Sequence, residues 1–237
     1  MDLGKAFTYQ FEDRRWLNKL GLAALIAAVP VLNFAFSGYI VEVLRNVARK
    51  SPEPLPEWDD LGAKLSEGFI LFAAAFIYTL PGLIVLCLPL SLIAASGLFS
   101  GNENLRSLAN SIGTAGSVLF FCLLCLFLLY VLLLSIIHPA ITVMFAREGK
   151  FASCFKIGAI LEMIRRDPAN FFTAWIGYVA ATLGVGLVVA FVGGLTGWIP
   201  CIGWAVGVVL SLGSVVYIAT VYGHLFGQFA QPGSGQD

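Results

Sequence analysis

The sequence predicts an all-α, polytopic membrane protein, and two observations carry that prediction. Of its 237 residues, 59% are hydrophobic and only 12% are charged, whereas soluble domains carry about a quarter charged residues. The mean hydropathy is +0.88, and the apolar residues fall in long blocks rather than alternating with polar ones, as in a bilayer-spanning chain. A single integral membrane domain over residues 1–237 with short connections is the economical reading.

The formal charge is zero, so there is no basic field for nucleic acid and no acidic tail. Cys87, Cys122, Cys125, Cys154 and Cys201 lie in or beside apolar blocks, which points to free thiols rather than a disulfide framework. The first 16 residues mix Lys5, Arg14 and Arg15 with Asp2, Glu12 and Asp13. The apolar run after them outlasts a signal peptide and shows no cleavage site, so the N-terminus reads as retained.

Five apolar blocks stand out, at residues 17–44, 68–96, 111–145, 171–195 and 198–229. Four clearly exceed the roughly 20 residues a helix needs to cross the hydrocarbon. The first is different. Basic residues near helix ends stay cytoplasmic, and they cluster at Lys5, Arg14, Arg15 and Lys19, at Arg45, Arg49, Lys50 and Lys64, and at Arg147, Lys150, Lys156, Arg165 and Arg166. With the first two clusters on one side, the block between them must enter and return as a helical hairpin. Pro30 and Asn33 mark its turn, because proline removes an amide donor and asparagine supports turns. Each arm then has about 14 residues, or about 21 Å, so the hairpin is short or re-entrant. The rival is one long kinked helix with its second half in the interface and Arg45 outside.

The remaining blocks pair into two further hairpins, joined near residues 97–110 and 193–200, with both termini cytoplasmic. Residues 29–35 (VPVLNFA) and 199–205 (IPCIGWA) hint at an internal repeat. Phe151, Cys154, Phe155, Gly158, Leu161 and Ile164 recur at three- and four-residue steps among Lys150, Lys156, Glu162, Arg165 and Arg166, which predicts an amphipathic helix in the cytoplasmic interface. Asp167-Pro168 then supplies an N-cap and a first helical residue for the next span.

The string Ser51-Pro-Glu-Pro-Leu-Pro-Glu-Trp-Asp-Asp60, following Gly38-Tyr39 and the basic helix end Arg45 to Arg49, resembles an uncharacterised prokaryotic membrane-protein family, domain of unknown function four-zero-one-three. The opening residues Phe7 to Asp13 and the Pro30 to Phe34 turn share the likeness, which extends over nearly the whole chain. The resemblance implies a prokaryotic plasma (inner) membrane location and no assigned activity. A looser likeness to the membrane domains of some bacterial glycerophosphodiesterases does not imply their reaction, since this chain has no room for their soluble catalytic domain.

No residue set has the spacing of a catalytic, cofactor or metal site. Pro56, Glu57, Trp58, Asp59 and Asp60 form a docking or gate loop or, structurally, a rigid clasp on basic residues such as Arg45 or Arg49. Its prolines stiffen it, Trp58 suits the headgroup level and Asp60 can cap the helix that follows. Glu57, Asp59 and Asp60 are suitable oxygen ligands for a hard cation, but such loops are ordinarily just solvated. Cys122 and Cys125 have redox or zinc spacing yet sit in an unbroken apolar run, where helix packing is the better account. His138 and His224 lie near predicted helix ends, where headgroups or water can satisfy them. Gly203, Gly207, Ser211, Gly223 and Gly227 form a small-residue face for close helix approach, within the bundle or to another subunit. Gly177, Ala181, Gly184 and Gly186 offer the preceding span a matching face.

These features favour a non-enzymatic membrane subunit or scaffold that contacts membrane lipids and binds a membrane-protein partner or forms a homo-oligomer. A lipid or small-solute transporter or flippase is the alternative, motivated by the prolines, the short hairpin and the repeat. A membrane enzyme acting on lipid headgroups comes last, with the acidic loop and Arg165-Arg166 as its only raw material.

Overall fold

The computed structural model describes residues 1–231, and among these every regular element is a helix. They are α1 (Leu3–Thr8), α2 (Trp16–Ala28), α3 (Asn33–Ala48), α4 (Leu61–Phe99), α5 (Arg106–Glu148), α6 (Ile157–Arg166), α7 (Pro168–Thr196) and α8 (Ile202–Phe229), with short 3-10 turns between some of them. By length and composition α4, α5, α7 and α8 suffice to cross a membrane, while α2 is apolar but shorter. At 39 and 43 residues, α4 and α5 are about 58 and 65 Å long, roughly twice the hydrocarbon thickness.

Local chemistry explains most boundaries. The chain breaks after Ala28, and α3 begins at Asn33, so the turn is made by residues 29–32 and Asn33 already belongs to the helix. The arms have 13 and 16 residues. Lys50 sits at φ 56° just past α3, with Ser51 N–H bonded to Asn46 O at 2.9 Å and Lys50 N–H to Val47 O at 3.0 Å. That is the Schellman ending, here with lysine where glycine is usual. Gly149 closes α5 at φ 66°. The Asp60 carboxylate accepts from Ala63 N–H at 3.0 Å at the start of α4. Asp167 likewise accepts from Asn170 N–H at 3.2 Å, with Pro168 leading α7. The predicted amphipathic helix is split: a 3-10 turn at Phe151–Phe155 precedes α6, because Lys156 leaves helical geometry with ψ 63°. Pro81, Pro89 and Pro139 lie inside α4 and α5.

The chain forms two compact units, and the boundary between them falls within α4 and α5. The first contains residues 1–72 and the chain from 139 onward. Its core gathers Tyr9, Ala23, Ile26, Phe36, Tyr39, Val43 and Leu55. The open ends of α2 and α3 meet one loop, since Lys19 bonds Leu55 O and Asn46 bonds Pro54 O. The two helices are therefore antiparallel. Phe171 of α7 meets Phe226 and Phe229 of α8, and Tyr178 meets Tyr222, so this pair is antiparallel too. Within the second unit, residues 73–138, the Tyr130 hydroxyl donates to Tyr78 O. The glycine faces at Gly113 and Gly116 approach Ser96 and Ile93.

Candidate functional site

The loop after α3 is the most elaborate polar arrangement in the first unit, and it is built on two buried lysines. Lys19, at the start of α2, has a side chain only 3% exposed, and its Nζ lies 2.7 Å from Asp13 Oδ2 and 3.1 Å from Glu57 Oε1. It also donates to Leu55 O at 2.9 Å. Lys64, in the first turn of α4, is 4% exposed and pairs with Glu42 at 2.8 Å and Asp59 at 3.4 Å. A buried ammonium is tolerable only when its donors are matched by charge and carbonyl oxygen, and both lysines meet that condition.

The loop itself is half swallowed. Leu55 and Pro56 are buried, while Glu57, Asp59 and Asp60 remain exposed. Trp58 stacks on Tyr39 at 4.5 Å with the rings 7° from parallel, and its Nε1 donates to Lys19 O at 2.9 Å. Glu57 adds a 2.6 Å contact to Arg15. The three acidic side chains thus share no partner: Glu57 meets Arg15 and Lys19, Asp59 meets Lys64, and Asp60 caps the start of α4. Among the described residues no group of three or more histidine, cysteine, aspartate or glutamate side chains converges.

Electrostatics follow from these contacts. Burial alone would raise the Asp13 carboxyl, but the Lys19 ammonium, the Arg15 amide and the two cations hold it below the ordinary carboxylate value. Asp59 is held down by its own amide and that of Asp60, then by Lys64. Such groups are fixed as charges and poorly suited to exchanging protons at neutral pH.

The expected clasp partners were Arg45 or Arg49, and the structure differs. Arg45 Nη1 is held by both Glu67 oxygens at 2.7 and 2.8 Å, and its Nε by Ala146 O at 2.8 Å. The loop instead closes on Arg15 just before α2, on Lys19 within α2 and on Lys64 in the first turn of α4.

The small-residue face divides. On α8, a Cβ at Gly227 would lie 2.6 Å from Val47 Cβ, and one at Gly223 would lie 3.0 Å from Val43 Cγ1, so these two glycines pack on α3. Gly203 packs on the turn before α8, with Thr196 O 2.2 Å from a Cβ built there. Gly207 has nothing within 4 Å of such an atom, and Ser211 is exposed. Of the proposed matching face on α7, Gly177 meets Leu225, while Gly184 and Gly186 face open space.

The closest helix crossing was not anticipated. A Cβ at Gly38 would lie 1.9 Å from Lys64 O, and one at Gly68 would lie 1.7 Å from Phe34 O. Here α3 and the first turns of α4 touch backbone to backbone, which only glycine permits. The available signal was the pair itself, glycines on two helices, but nothing local says which glycines meet.

Deeper in the core, Tyr9 stacks on His224 at 4.3 Å and donates to Thr220 O at 3.1 Å. The Thr220 hydroxyl donates to Gln10 Oε1, and His224 Nδ1 faces Gln228 Nε2 at 3.0 Å. His224 is thus part of a structural network tying the N-terminal segment to α8. His138 lies in the other unit. Cys122 and Cys125 are exposed on α5 rather than packed, and none of the five cysteines is in a disulfide, with the Cys154 thiol pushed up to about 11 by burial.

Searches of curated proteins and of solved structures return no match for this chain. A family described as "Protein of unknown function (DUF4013)" matches residues 21–197, a stretch that runs from the first hairpin through the Pro56 to Asp60 loop and α6 to the end of α7. The chain is therefore a multi-pass membrane protein belonging to the DUF4013 family of unknown function.

Proposed function

We propose that the protein is a non-enzymatic membrane subunit or scaffold that binds a membrane-protein partner or a second copy of itself. One observation carries the reading. The most apolar window of α5 is 0% buried and that of α4 only 6% buried, so much of their apolar surface is left uncovered. Phe121, Leu126, Leu128 and Leu129 are each more than half exposed. Surface of that kind and extent is covered by acyl chains or by another protein's helices. The polar groups of the loop, by contrast, are consumed by one another, which leaves little for chemistry.

The proposed setting is a prokaryotic plasma membrane with both termini cytoplasmic. Of the 14 lysines and arginines, all but Arg106 lie outside residues 73–138, as the positive-inside bias requires of a cytoplasmic face. Asp2 N–H donates to Gln228 Oε1 at 2.8 Å, and Gln228 Nε2 returns a bond to Asp2 O at 2.9 Å. That clip supports both ends of the described chain on one side, as four crossings and a re-entrant hairpin also demand.

The test is extraction with surrounding lipid in a mild polymer, followed by native mass spectrometry and by crosslinking from cysteines placed at Leu126 and Leu129. A defined oligomer or a stoichiometric protein partner, crosslinked through α5, is the expected result. A monomer without protein crosslinks overturns the proposal. Flux or scrambling in liposomes by that monomer would move the reading to transport.

A further inference from the structure

The first unit contains a cavity of about 420 Å³ lined by Leu44, Arg45, Ala48, Arg49, Ala146, Arg147 and Ala230. The volume lies within the roughly 300–1,000 Å³ of ordinary ligand sites. Its walls come from the C-terminal ends of α3, α5 and α8, and its charged lining residues are three arginines, with leucine and alanine supplying the rest.

Two of these arginines have structural duties. Arg45 holds Ala146 O and Glu67, and Arg147 Nη2 donates to Ala230 O at 3.1 Å. Arg147 keeps Nε and Nη1 without a bond among the described residues, and the Arg49 side chain makes no hydrogen bond or ion pair there. Among the described residues, Glu67 is the one carboxylate bonded to any of the three.

Three converging helix C-termini oppose an anion, each with roughly half a negative charge. Here those ends are already served: Arg45 takes Ala146 O, Arg147 takes Ala230 O, and Gln231 Nε2 takes Val47 O at 3.2 Å. Three guanidiniums less one carboxylate leave two full positive charges. The geometry points to a binding site for a phosphate-bearing ligand, its phosphate engaged by Arg49 and Arg147 and its apolar part laid against Leu44, Ala48, Ala146 and Ala230. Planar guanidinium forks match phosphate oxygens two at a time, and small apolar walls admit a glycerol or acyl stem. The ligand is either an anionic lipid headgroup or a free phosphate ester.

The test uses the full chain in phosphatidylcholine nanodiscs. Inorganic phosphate and glycerol 3-phosphate are the soluble probes, and discs containing phosphatidylglycerol supply the lipid, with retention read by native mass spectrometry and affinity by titration. Arg49→Gln removes a side chain that holds nothing in the fold, and Ala48→Met fills the cavity. Each is expected to weaken binding by about tenfold, the scale of one charge-assisted contact, while Arg165→Gln on α6 leaves it unchanged. Binding of the soluble probes in phosphatidylcholine discs identifies a free ester as the source, and binding of phosphatidylglycerol alone identifies a headgroup. The inference is overturned by absence of binding to every probe, by affinity unchanged from the parent in Arg49→Gln and Ala48→Met, or by an equal loss in Arg165→Gln, which would mark a diffuse surface charge effect.

Discussion

The two units of this chain solve the same problem, holding helices together, with opposite means. In the unit of residues 1–72 and 139 onward, every ion pair found among the described residues is present, and all the buried polar side chains with it: Gln10, Lys19, Lys64, Thr142, Ser153, Thr220 and His224. The unit of residues 73–138 carries only Glu103 and Arg106 as charged residues. It joins its helices through a tyrosine hydroxyl and small-residue contacts. Where lipid surrounds a helix pair, burial from water no longer rewards association, and close packing must do it. Where water or headgroups reach the chain, charge pairs and capped ends can specify one arrangement.

The sharpest break in that contrast should come from the glycine crossing. Gly38→Ala or Gly68→Ala would drive a methyl into a carbonyl oxygen of a neighbouring helix, an atom that no rotamer change can move. We expect a loss of about 3 kcal/mol or more, in the upper range of overpacking costs, seen as aggregation or a large fall in melting temperature in detergent. Gly184→Ala and Gly186→Ala, facing open space, should melt like the parent. Equal melting of the Gly38 variant would show that α3 and α4 are not in backbone contact.

Next in size is the Lys19 cluster. Lys19→Met strands the Asp13 carboxylate, whose side chain is 8% exposed, and breaking one side of a buried pair costs about 3–5 kcal/mol. Adding Asp13→Leu should restore much of that loss, because the pair as a whole need not be worth more than an apolar replacement. A thermal double-mutant cycle measures the coupling. Additive losses would mean that the two groups do not interact.

The same pair sets a pH dependence. The folded Asp13 pKa lies below its unfolded value of about 3.9, so the unfolded chain takes up the proton first. The stability from this group is full above the unfolded value and disappears as pH falls through the folded one. Melting temperature should therefore drop below about pH 4 in the parent, and the Asp13→Asn variant, less stable near neutrality, should show a shallower drop. Parallel curves would place the acid sensitivity elsewhere.

What the sequence disclosed was local. Four long apolar runs, the break at Pro30, the start at Asp167-Pro168 and the cap at Asp60 each depend on residues within a few positions of one another. What stayed hidden depends on pairings across the chain. Trp58 reads as an interfacial anchor until Tyr39 is seen stacked on it, and Lys19 and Lys64 read as helix-end cations until carboxylates from other segments enclose them. Gly223 and Gly227 were legible as a packing face but not as α3's partner, because spacing says how closely helices approach and not which helix comes. Gln10 and Thr220 lie 210 positions apart, beyond the reach of any periodicity.

The smallest expected effect tests the lipid-facing unit by its own logic. A Cβ at Gly82 would lie 2.8 Å from the Phe127 ring and 3.2 Å from Tyr130 Cδ1, and both neighbours are side chains able to swing rather than fixed backbone. Gly82→Ala should therefore cost about 1 kcal/mol, at the low end of overpacking, while Gly82→Leu exceeds what a ring movement can absorb and costs more. A graded series here beside an all-or-none response at Gly38 is what side-chain packing and backbone contact respectively require. If alanine at Gly82 proved as damaging as alanine at Gly38, the two units would be held by the same kind of contact after all.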